Sequence, residues 1–313
     1  MQKKWNDLVN EIEGEKLEYN LVIYFIEKHQ IETKYSKFLN SYIQRKPKDI
    51  NVYSAIESYD IDKLSNIEDL ENHLETLIPS RDKKINGAFF TPYFITKKMV
   101  ELLNPKKDDR NIDISCGTGA FLLALIKFYK KTYDKKIDDI LKENIYGVDI
   151  LEYNIARAKI LLSIYTCLEK EYIEETSFNL AVENSLNIDI NELFNVKFDN
   201  VLGNPPYVKY QDLPPTMRNL NKGTWKTVKN GNFNLYFPFF EIAYNIINEG
   251  GKVAYITPNN YFTSLAGESV RKYFETNRSI ETIIDFSHIL VFQVQTYTAI
   301  TLINKKENEY INY

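Results

Sequence analysis

The feature that most constrains the fold is an alternation of short apolar runs with amphipathic helical stretches, which begins after Gly87. Runs rich in β-branched and aromatic residues predict strands at residues 111–115, 145–150, 178–182, 198–203, 251–258, 280–286 and 297–304. Between them, helical periodicity predicts helices at residues 121–131, 152–168, 233–248 and 267–276. This order predicts an α/β domain built on a doubly wound, mostly parallel sheet.

The segment before Gly87 has a different pattern. Apolar residues recur there at three- and four-residue spacing, which predicts helices near residues 8–26, 36–44, 51–59 and 66–77. The polar residues 79–86 are typical of a linker. We therefore predict a small all-α domain at residues 1–85, a packing or partner-docking unit, followed by the α/β domain at residues 86–313.

Composition excludes several classes of protein. The longest apolar runs, such as residues 121–126, are far shorter than the roughly 20 residues that cross a bilayer, and the first residues lack the apolar run of a signal peptide. Cys116 and Cys167 are the only cysteines, and three histidines add too little for a zinc cluster. We expect a cytoplasmic protein without a metal site. The net charge of −4 confines any nucleic-acid contact to a local surface.

A strand, a tight turn of small residues and a helix follow one another between Asn111 and Phe121. Glycines in the turn let the backbone approach a ligand closely, and the helix N-terminus offers free N–H groups. In dinucleotide sites such a turn faces pyrophosphate, which the carboxylate of Asp113 would repel. Asp113 therefore favours a positively charged cofactor.

Further polar residues follow the next two predicted strands. Asp149 ends the second strand, where a carboxylate can hold the hydroxyls of a ribose. The alternative is an aspartate that only caps the following helix. Asn184 and Ser185 follow the third strand, where polar groups could contact an adenine ring.

The most specific motif is Asn204-Pro205-Pro206-Tyr207, which directly follows an apolar strand. No packing requirement explains this order, since two prolines end a strand and cannot donate to its hydrogen-bond ladder. They do hold a rigid loop at the carboxyl edge of the sheet, where ligands of α/β proteins bind. The amide oxygen of Asn204 and the carbonyl of Pro205 can both accept from one –NH2 group, and Tyr207 offers a flat face to a planar ring.

This combination resembles the S-adenosylmethionine-dependent amino-methyltransferases, and most closely the TaqI-like DNA adenine methyltransferases of restriction-modification systems. The resemblance covers about residues 85–304, in the family's motif order. Residues 87–92 (Gly-Ala-Phe-Phe-Thr-Pro) resemble the motif that precedes the first strand, and residues 290–293 (Leu-Val-Phe-Gln) resemble the last aromatic element. The implied fold is a Rossmann-like, doubly wound sheet, mostly parallel with one antiparallel strand near the C-terminus.

The resemblance also assigns roles to single residues. Thr91 would contact the methionine carboxylate of S-adenosylmethionine, Asp113 its ammonium group and Asp149 the ribose, while Asn184 stands where the family more often has an aspartate. The predicted cofactor-binding residues are Thr91, Asp113, Ser115, Gly117, Phe121, Asp149, Ile150, Asn184 and Ser185. The predicted catalytic residues are Asn204, Pro205, Pro206, Tyr207 and Phe292. The alternative for Phe292 is an ordinary aromatic residue of the core.

The implied reaction transfers a methyl group to the exocyclic nitrogen of adenine in double-stranded DNA. That nitrogen is a poor nucleophile because its lone pair is delocalised into the ring, and hydrogen bonds to Asn204 and to the Pro205 carbonyl would localise it. The methyl carbon must lie in line, about 3–3.5 Å from the nitrogen. A paired base cannot reach such a pocket, so it must flip, with Tyr207 and Phe292 replacing its stacking.

Residues 209–229 form a concentrated basic loop beside the proposed site. Against Asp212 alone, the loop carries a net charge of +4 from the predicted DNA-binding residues Lys209, Arg218, Lys222, Lys226 and Lys229. Such a loop suits contact with phosphates. The alternative is an ordinary solvated surface loop.

Two other functions stay open at this point. The protein-glutamine methyltransferases that act on release factors share a helical N-terminal domain and the same tetrapeptide, although residues 89–92, Cys116 in the glycine turn and the basic loop favour the DNA enzymes. A non-catalytic partner subunit is the second, and the intact tetrapeptide and both acids argue against it. The family's DNA-reading domain normally follows the catalytic sheet, so we expect either a separate specificity subunit or a recognition domain missing from this chain.

Overall fold

Seven strands form a single sheet in the computed structural model, which describes residues 4–59, 63–79, 81–82, 87, 91–213, 224–229, 233–287, 289, 291–292 and 297–313. Along the chain the strands are β1 (Asn111–Asp113), β2 (Ile145–Asp149), β3 (Asn179–Val182), β4 (Phe198–Gly203), β5 (Ile247–Pro258), β6 (Ile280–Asp285) and β7 (Thr298–Asn304). Their order across the sheet is β3-β2-β1-β4-β5-β7-β6. Strand β7 is antiparallel to both of its neighbours, β5 and β6, and the other neighbouring pairs are parallel. The predicted fold is confirmed.

The helices of the described residues flank this sheet or precede it. In chain order they are α1 (Trp5–Glu11), α2 (Gly14–Lys28), α3 (Lys37–Ile43), α4 (Ile50–Tyr59), α5 (Ile67–Thr76), α6 (Tyr93–Leu103), α7 (Ala120–Tyr133), α8 (Ile137–Glu143), α9 (Glu152–Leu168), α10 (Ile190–Phe194), α11 (Tyr236–Ile246) and α12 (Glu268–Asn277). None of these helices has the length and apolar character that a membrane span requires.

Sequence reasoning did not predict α6, although the signal is present. Pro92 precedes the helix, and Ile95, Met99 and Leu103 recur at four-residue spacing and are buried. This apolar stripe packs α6 against α7 and β5. The helix therefore holds the segment that contains Thr91 against the sheet. The short helices α8 and α10 were also not predicted.

The chain order of the strands places a crevice beside β1. From β1 the chain runs outward through β2 to β3 on one side, and then returns to β4 on the other side. At such a reversal the loops that leave neighbouring strands diverge and open a crevice at the carboxyl ends of the strands. The glycine turn after β1 and the Asn204 loop after β4 lie on the two sides of this crevice.

Alternate residues of the central strands point to two separate hydrophobic clusters, one on each face of the sheet. Val201 and Val253 belong to the cluster that includes α11 and α12, while Leu202 and Ala254 belong to the cluster that includes α7 and α9. Helices α1 to α5 share this second cluster. The helical segment therefore packs on the α7–α9 side of the molecule.

Helix α9 lies between the helical segment and the sheet. Its buried residues occur on all sides of the helix, which is typical of a helix covered by two layers. Polar contacts join the same surfaces: the Ser36 hydroxyl donates to Ser163 at 2.9 Å, and Arg157 forms a buried ion pair with Glu18 at 2.8 Å. The division of the chain at residue 85 stays a prediction, and the predicted linker at residues 79–86 lies mostly outside the described residues.

We predict that the Arg157–Glu18 ion pair contributes strongly to docking of the helical segment. Side-chain exposure is only 5% for Arg157 and 12% for Glu18, so Arg157→Met leaves a buried carboxylate without its counter-charge. The free energy of unfolding in urea should fall by about 3–5 kcal/mol. As a control, Lys46→Met breaks the exposed pair with Glu15 and should change stability little. Equal small effects of both variants would contradict this role for Arg157.

Candidate functional site

An open pocket lies at the carboxyl ends of β1, β2 and β4. All nine predicted cofactor-binding residues line it, and so do Asn204 and Pro206 of the tetrapeptide. Pro205, Tyr207 and Phe292 are not among the lining residues. The structure thus brings the residues of separate sequence motifs into one site, while their individual roles stay predictions.

Asp113 ends β1 at the bottom of this pocket and is 1% exposed. Its Oδ1 accepts from the backbone N–H of Ser115 at 2.9 Å, but its Oδ2 has no hydrogen-bond partner among the described residues. Burial, and to a smaller degree the nearby Asp149, raise the pKa of Asp113 to about 8. A positively charged group at Oδ2 would satisfy this oxygen and stabilise the carboxylate, which is the fit expected for the ammonium of S-adenosylmethionine.

Asp149 ends β2 and is engaged by the protein on both oxygens. Oδ2 accepts from the Gly117 N–H at 2.9 Å, and Oδ1 accepts from the Leu151 N–H at 2.9 Å and from the Asn154 amide at 3.0 Å. These bonds fix the glycine turn to the end of β2, a structural role that the sequence did not reveal. A carboxylate oxygen has two lone pairs, so a ribose hydroxyl can still donate to Asp149; that contact stays a prediction.

The tetrapeptide loop is held by the motif that precedes the first strand. The amide nitrogen of Asn204 donates to the Thr91 hydroxyl at 3.0 Å, which orients the side chain. The Tyr207 N–H donates to the Gly87 carbonyl at 3.2 Å. Gly87 has a φ of +56°, and a Cβ there would lie 2.5 Å from the Tyr207 nitrogen, so only glycine allows this approach. The two motifs form one structural unit.

Tyr207 and Phe292, the two predicted base-stacking residues, contact each other. Their ring centroids are 6.3 Å apart with an interplanar angle of 80°. The Tyr207 hydroxyl donates to the Ile256 carbonyl at 2.8 Å, which fixes the ring against β5. Phe292 is only 6% exposed and belongs to the hydrophobic cluster against which Tyr207 packs, so stacking of either ring on a base stays a prediction.

Sequence reasoning missed two residues of the pocket, Glu71 and Glu75 on α5. The Thr118 hydroxyl, in the glycine turn, donates to Glu71 at 2.8 Å and approaches Glu75 at 3.4 Å. Burial and the adjacent Glu75 raise the pKa of Glu71 to about 8. The signal in the sequence is weak: acids beside Leu70 and Leu74 on the apolar side of an amphipathic helix.

The charge of the lining restricts the ligand. Five acidic residues line the pocket, and the described lining includes no lysine, arginine or histidine. A pocket of this kind opposes phosphate and favours a cation, since the carboxylates ionise at lower pH when a positive charge is near. The five acids are Glu71, Glu75, Asp113, Asp149 and Glu183. Within the described residues, no group of three or more potential ligands could hold a metal ion.

The basic loop is described only in part. Lys209, Lys226 and Lys229 are exposed, whereas Arg218 and Lys222 lie outside the described residues. Thr227 lies between Lys226 and Lys229 at the end of the loop. Its N–H and its hydroxyl both donate to the buried carboxylate of Glu241 on α11. This anchor holds the end of the loop on the body of the protein, with both lysines facing solvent.

We predict that Gly203 is required for the joint position of Asp113 and the tetrapeptide loop. A Cβ at Gly203 would lie 2.6 Å from Oδ1 of Asp113, so Gly203→Ala forces the buried carboxyl to move. Unfolding in urea should show a loss of roughly 1–3 kcal/mol. Gly14→Ala is the control, because no atom lies within 4 Å of a Cβ at that helical position. An unchanged stability of Gly203→Ala would mean that the site tolerates a shift of Asp113.

Residues 143–292 match the Eco57I restriction-modification methylase family. The Type II restriction enzyme and methyltransferase RM.Eco57I of Escherichia coli is 27% identical over 84% of this chain and 32% of its own length. The Type II methyltransferase M.HincII of Haemophilus influenzae is 27% identical over 67% of this chain and 35% of its own length. This chain therefore spans about a third of the length of these relatives.

Solved structures agree with the fold. A structure described as a class I S-adenosylmethionine-dependent methyltransferase from Listeria monocytogenes superposes with a TM-score of 0.60 at 19% identity over 96% of this chain and 91% of its own. The Type IIL restriction-modification enzyme MmeI in complex with DNA gives a TM-score of 0.64 at 14% identity over 87% of this chain and 46% of its own. The chain has the fold of an S-adenosylmethionine-dependent methyltransferase, and its resemblance to the restriction-modification methyltransferases is confirmed by the Eco57I methylase match over residues 143–292.

Proposed function

We propose that this chain transfers the methyl group of S-adenosylmethionine to the exocyclic amino group of adenine in DNA, as part of a restriction-modification system. The observation that carries this proposal is the position of the tetrapeptide loop beside a pocket lined by carboxyl groups, with Asp113 and Asn204 on the same lining. The similarity to a Type II restriction enzyme and methyltransferase and to a Type II methyltransferase supports this proposal.

The pocket residues suit a cofactor with positive charges. Oδ2 of Asp113 would accept from its ammonium group, and the carboxylate of Asp149 would accept from the ribose hydroxyls. Asn184 lines the same pocket and would face the adenine of the cofactor; its side-chain oxygen accepts from the Leu186 N–H at 3.1 Å. When bound, the cofactor supplies an electrophilic methyl carbon.

The tetrapeptide would act on the target amine. The amide oxygen of Asn204 and the carbonyl oxygen of Pro205 accept from its two N–H groups and so localise the lone pair on nitrogen, an effect that is largest in the transition state. The bond from Asn204 Nδ2 to Thr91 keeps the amide in one orientation. The proton that the amine loses after transfer needs no strongly basic side chain, because methylation makes that nitrogen acidic.

DNA would reach the site with the target base flipped out of the helix. One of the two perpendicular rings of Tyr207 and Phe292 would stack on the base, and the other would contact its edge. Lys209, Lys226 and Lys229 are exposed on the loop that follows the tetrapeptide and would suit phosphate contact. This chain spans about a third of the length of these relatives. We therefore propose that a separate subunit or a further domain recognises the DNA sequence.

Methyl transfer can be tested with cofactor that carries a labelled methyl group. The purified chain, supplemented with the sequence-reading partner when that is identified, is incubated in parallel with duplex DNA and with release factor protein. We expect label in DNA, recovered after digestion as N6-methyladenine. Label in glutamine of the release factor, or in cytosine, would contradict the proposed substrate.

We predict that Asn204 matters for turnover much more than for cofactor binding. Asn204→Ala removes an acceptor used mainly in the transition state, so kcat should fall by about 10²–10³ while the Kd for S-adenosylmethionine stays within about twofold. Asn277→Ala, on α12 and away from the pocket lining, is the control and should retain full activity. An Asn204→Ala variant with most of its activity would refute the proposed mechanism.

We predict weak, salt-dependent DNA binding through the basic loop. With few lysines on the loop, the Kd should lie near the 10⁻⁴–10⁻⁶ M typical of non-specific binding. The double variant Lys226→Ala/Lys229→Ala should flatten the dependence of log K on log salt by up to about 0.9 per lost phosphate contact. Alanine at Lys131 and Lys136, exposed near the opposite edge of the sheet, is the matched control. An equal effect of both pairs would assign the binding to net charge alone.

A further inference from the structure

Helix α5 of the helical segment forms one wall of the pocket. Glu71 and Glu75 are 6% and 8% exposed and lie one helical turn apart, so their carboxyl groups face the same side. Both approach the hydroxyl of Thr118, which is itself 2% exposed and belongs to the glycine turn. The helical segment thus contributes two carboxyl groups to a site that is lined mostly by residues after Gly87.

The position of Glu71 contrasts with that of Glu68 on the same helix. Glu68 forms an ion pair with Lys127 of α7, as expected for a glutamate at a helix–helix contact. Glu71 faces the pocket instead, where the described lining contains four more acids and no basic residue. Burying a carboxyl group in such surroundings is unfavourable unless a cation comes to it. Oδ2 of Asp113 lies in the same pocket without a hydrogen-bond partner among the described residues, and it too would be stabilised by a cation.

This inference rests on the proposed function, which supplies the identity of the cation. S-adenosylmethionine carries an ammonium, a carboxylate and a sulfonium, and therefore a net charge of +1. Transfer of its methyl group breaks the sulfur–carbon bond and leaves the electron pair on sulfur, so the product S-adenosylhomocysteine has a neutral sulfur and no net charge. Carboxylates in the pocket distinguish these two ligands by charge alone.

We propose that Glu71, together with Glu75, is a cofactor-binding residue through which the helical segment selects S-adenosylmethionine over S-adenosylhomocysteine. The pair adds two carboxyl groups to the pocket wall that α5 forms, and a bound cation favours their charged form. Substrate is held by it more strongly than product, so product leaves more readily after each transfer. The helical segment is then part of the cofactor site as well as a packing unit.

The titration of Glu71 gives this role a signature, which comparison with Glu71→Gln separates from the titration of Asp113, whose pKa is also raised to about 8. A pKa of about 8 means that Glu71 is mostly protonated near neutral pH. A bound cation lowers that pKa, so binding releases a proton and affinity for S-adenosylmethionine rises with pH up to about 8. Several other charged or titratable groups lie around Glu71. On the neighbouring helices they are Glu68 and Glu75 of α5, Lys127 of α7, which is paired with Glu68, and Arg157 of α9, which is paired with Glu18. In the pocket lining they are Asp113, Cys116, Asp149 and Glu183.

Calorimetry with both ligands tests the proposal. The purified chain, Glu71→Gln and the control Glu68→Gln are titrated with S-adenosylmethionine and with S-adenosylhomocysteine near neutral pH, in two buffers of different ionisation enthalpy. Glutamine keeps an acceptor for Thr118, and thermal unfolding checks that each variant is folded. We expect Glu71→Gln to weaken S-adenosylmethionine binding about tenfold, to leave S-adenosylhomocysteine binding within about twofold, and to release fewer protons on binding. Glu68→Gln should leave all three quantities unchanged.

The possible failures are distinguishable. If Glu71→Gln weakens both ligands equally, or neither, while the unchanged chain binds S-adenosylmethionine, then Glu71 has only a structural role and this inference is overturned, whereas the proposed function stands. If the unchanged chain binds neither ligand, the proposed function fails and this inference falls with it. Proton release that is the same in Glu71→Gln and in the unchanged chain would also overturn it.

Discussion

The site depends on the close contact between the carboxyl group of Asp113 and the backbone of Gly203. These residues end β1 and β4, the two strands on either side of the reversal in strand order, and the absence of a side chain at Gly203 leaves room for the buried carboxyl. Because the glycine turn follows one strand and the Asn204 loop follows the other, this contact places the proposed cofactor-binding residues next to the loop that we propose to hold the amino group. Burial then gives Asp113 a raised pKa and a preference for a cationic ligand.

The remaining contacts position this arrangement from outside. Thr91 orients the Asn204 amide, and Gly87 receives the Tyr207 N–H, so the segment before the first strand braces the tetrapeptide. Asp149 fixes the glycine turn to β2 through Gly117. From the opposite side, α5 reaches the same turn through the bond from Thr118 to Glu71, and the helical segment is docked by the buried pair of Arg157 and Glu18. A change in the docking of this segment would therefore move Glu71 relative to the glycine turn and alter the pocket.

The sequence predicted the strands and most of the site because those features depend on local patterns. The run from Phe198 to Gly203 reads as a buried strand, and a tetrapeptide with two prolines can only be a loop after it. What local pattern could not provide was contact between distant segments. Nothing near Glu71 or Glu75 indicates that Thr118, more than forty residues later, lies against them, and Asp149 gives no sign that it holds the glycine turn. Helix α6 is a different case, because the sequence does contain its apolar stripe. The helix begins two residues after Thr91, and that segment was interpreted only as part of a functional motif.

The most direct test of the account is a crystal structure of the chain with S-adenosylmethionine bound. The account predicts that the cofactor lies in the acidic pocket, with its ammonium nitrogen about 3 Å from Oδ2 of Asp113 and its methyl carbon directed at the Asn204 loop. A cofactor bound outside this pocket, or one with its ammonium turned away from Asp113, would contradict the central claim that the buried carboxyl group at the end of β1 selects a cationic methyl donor.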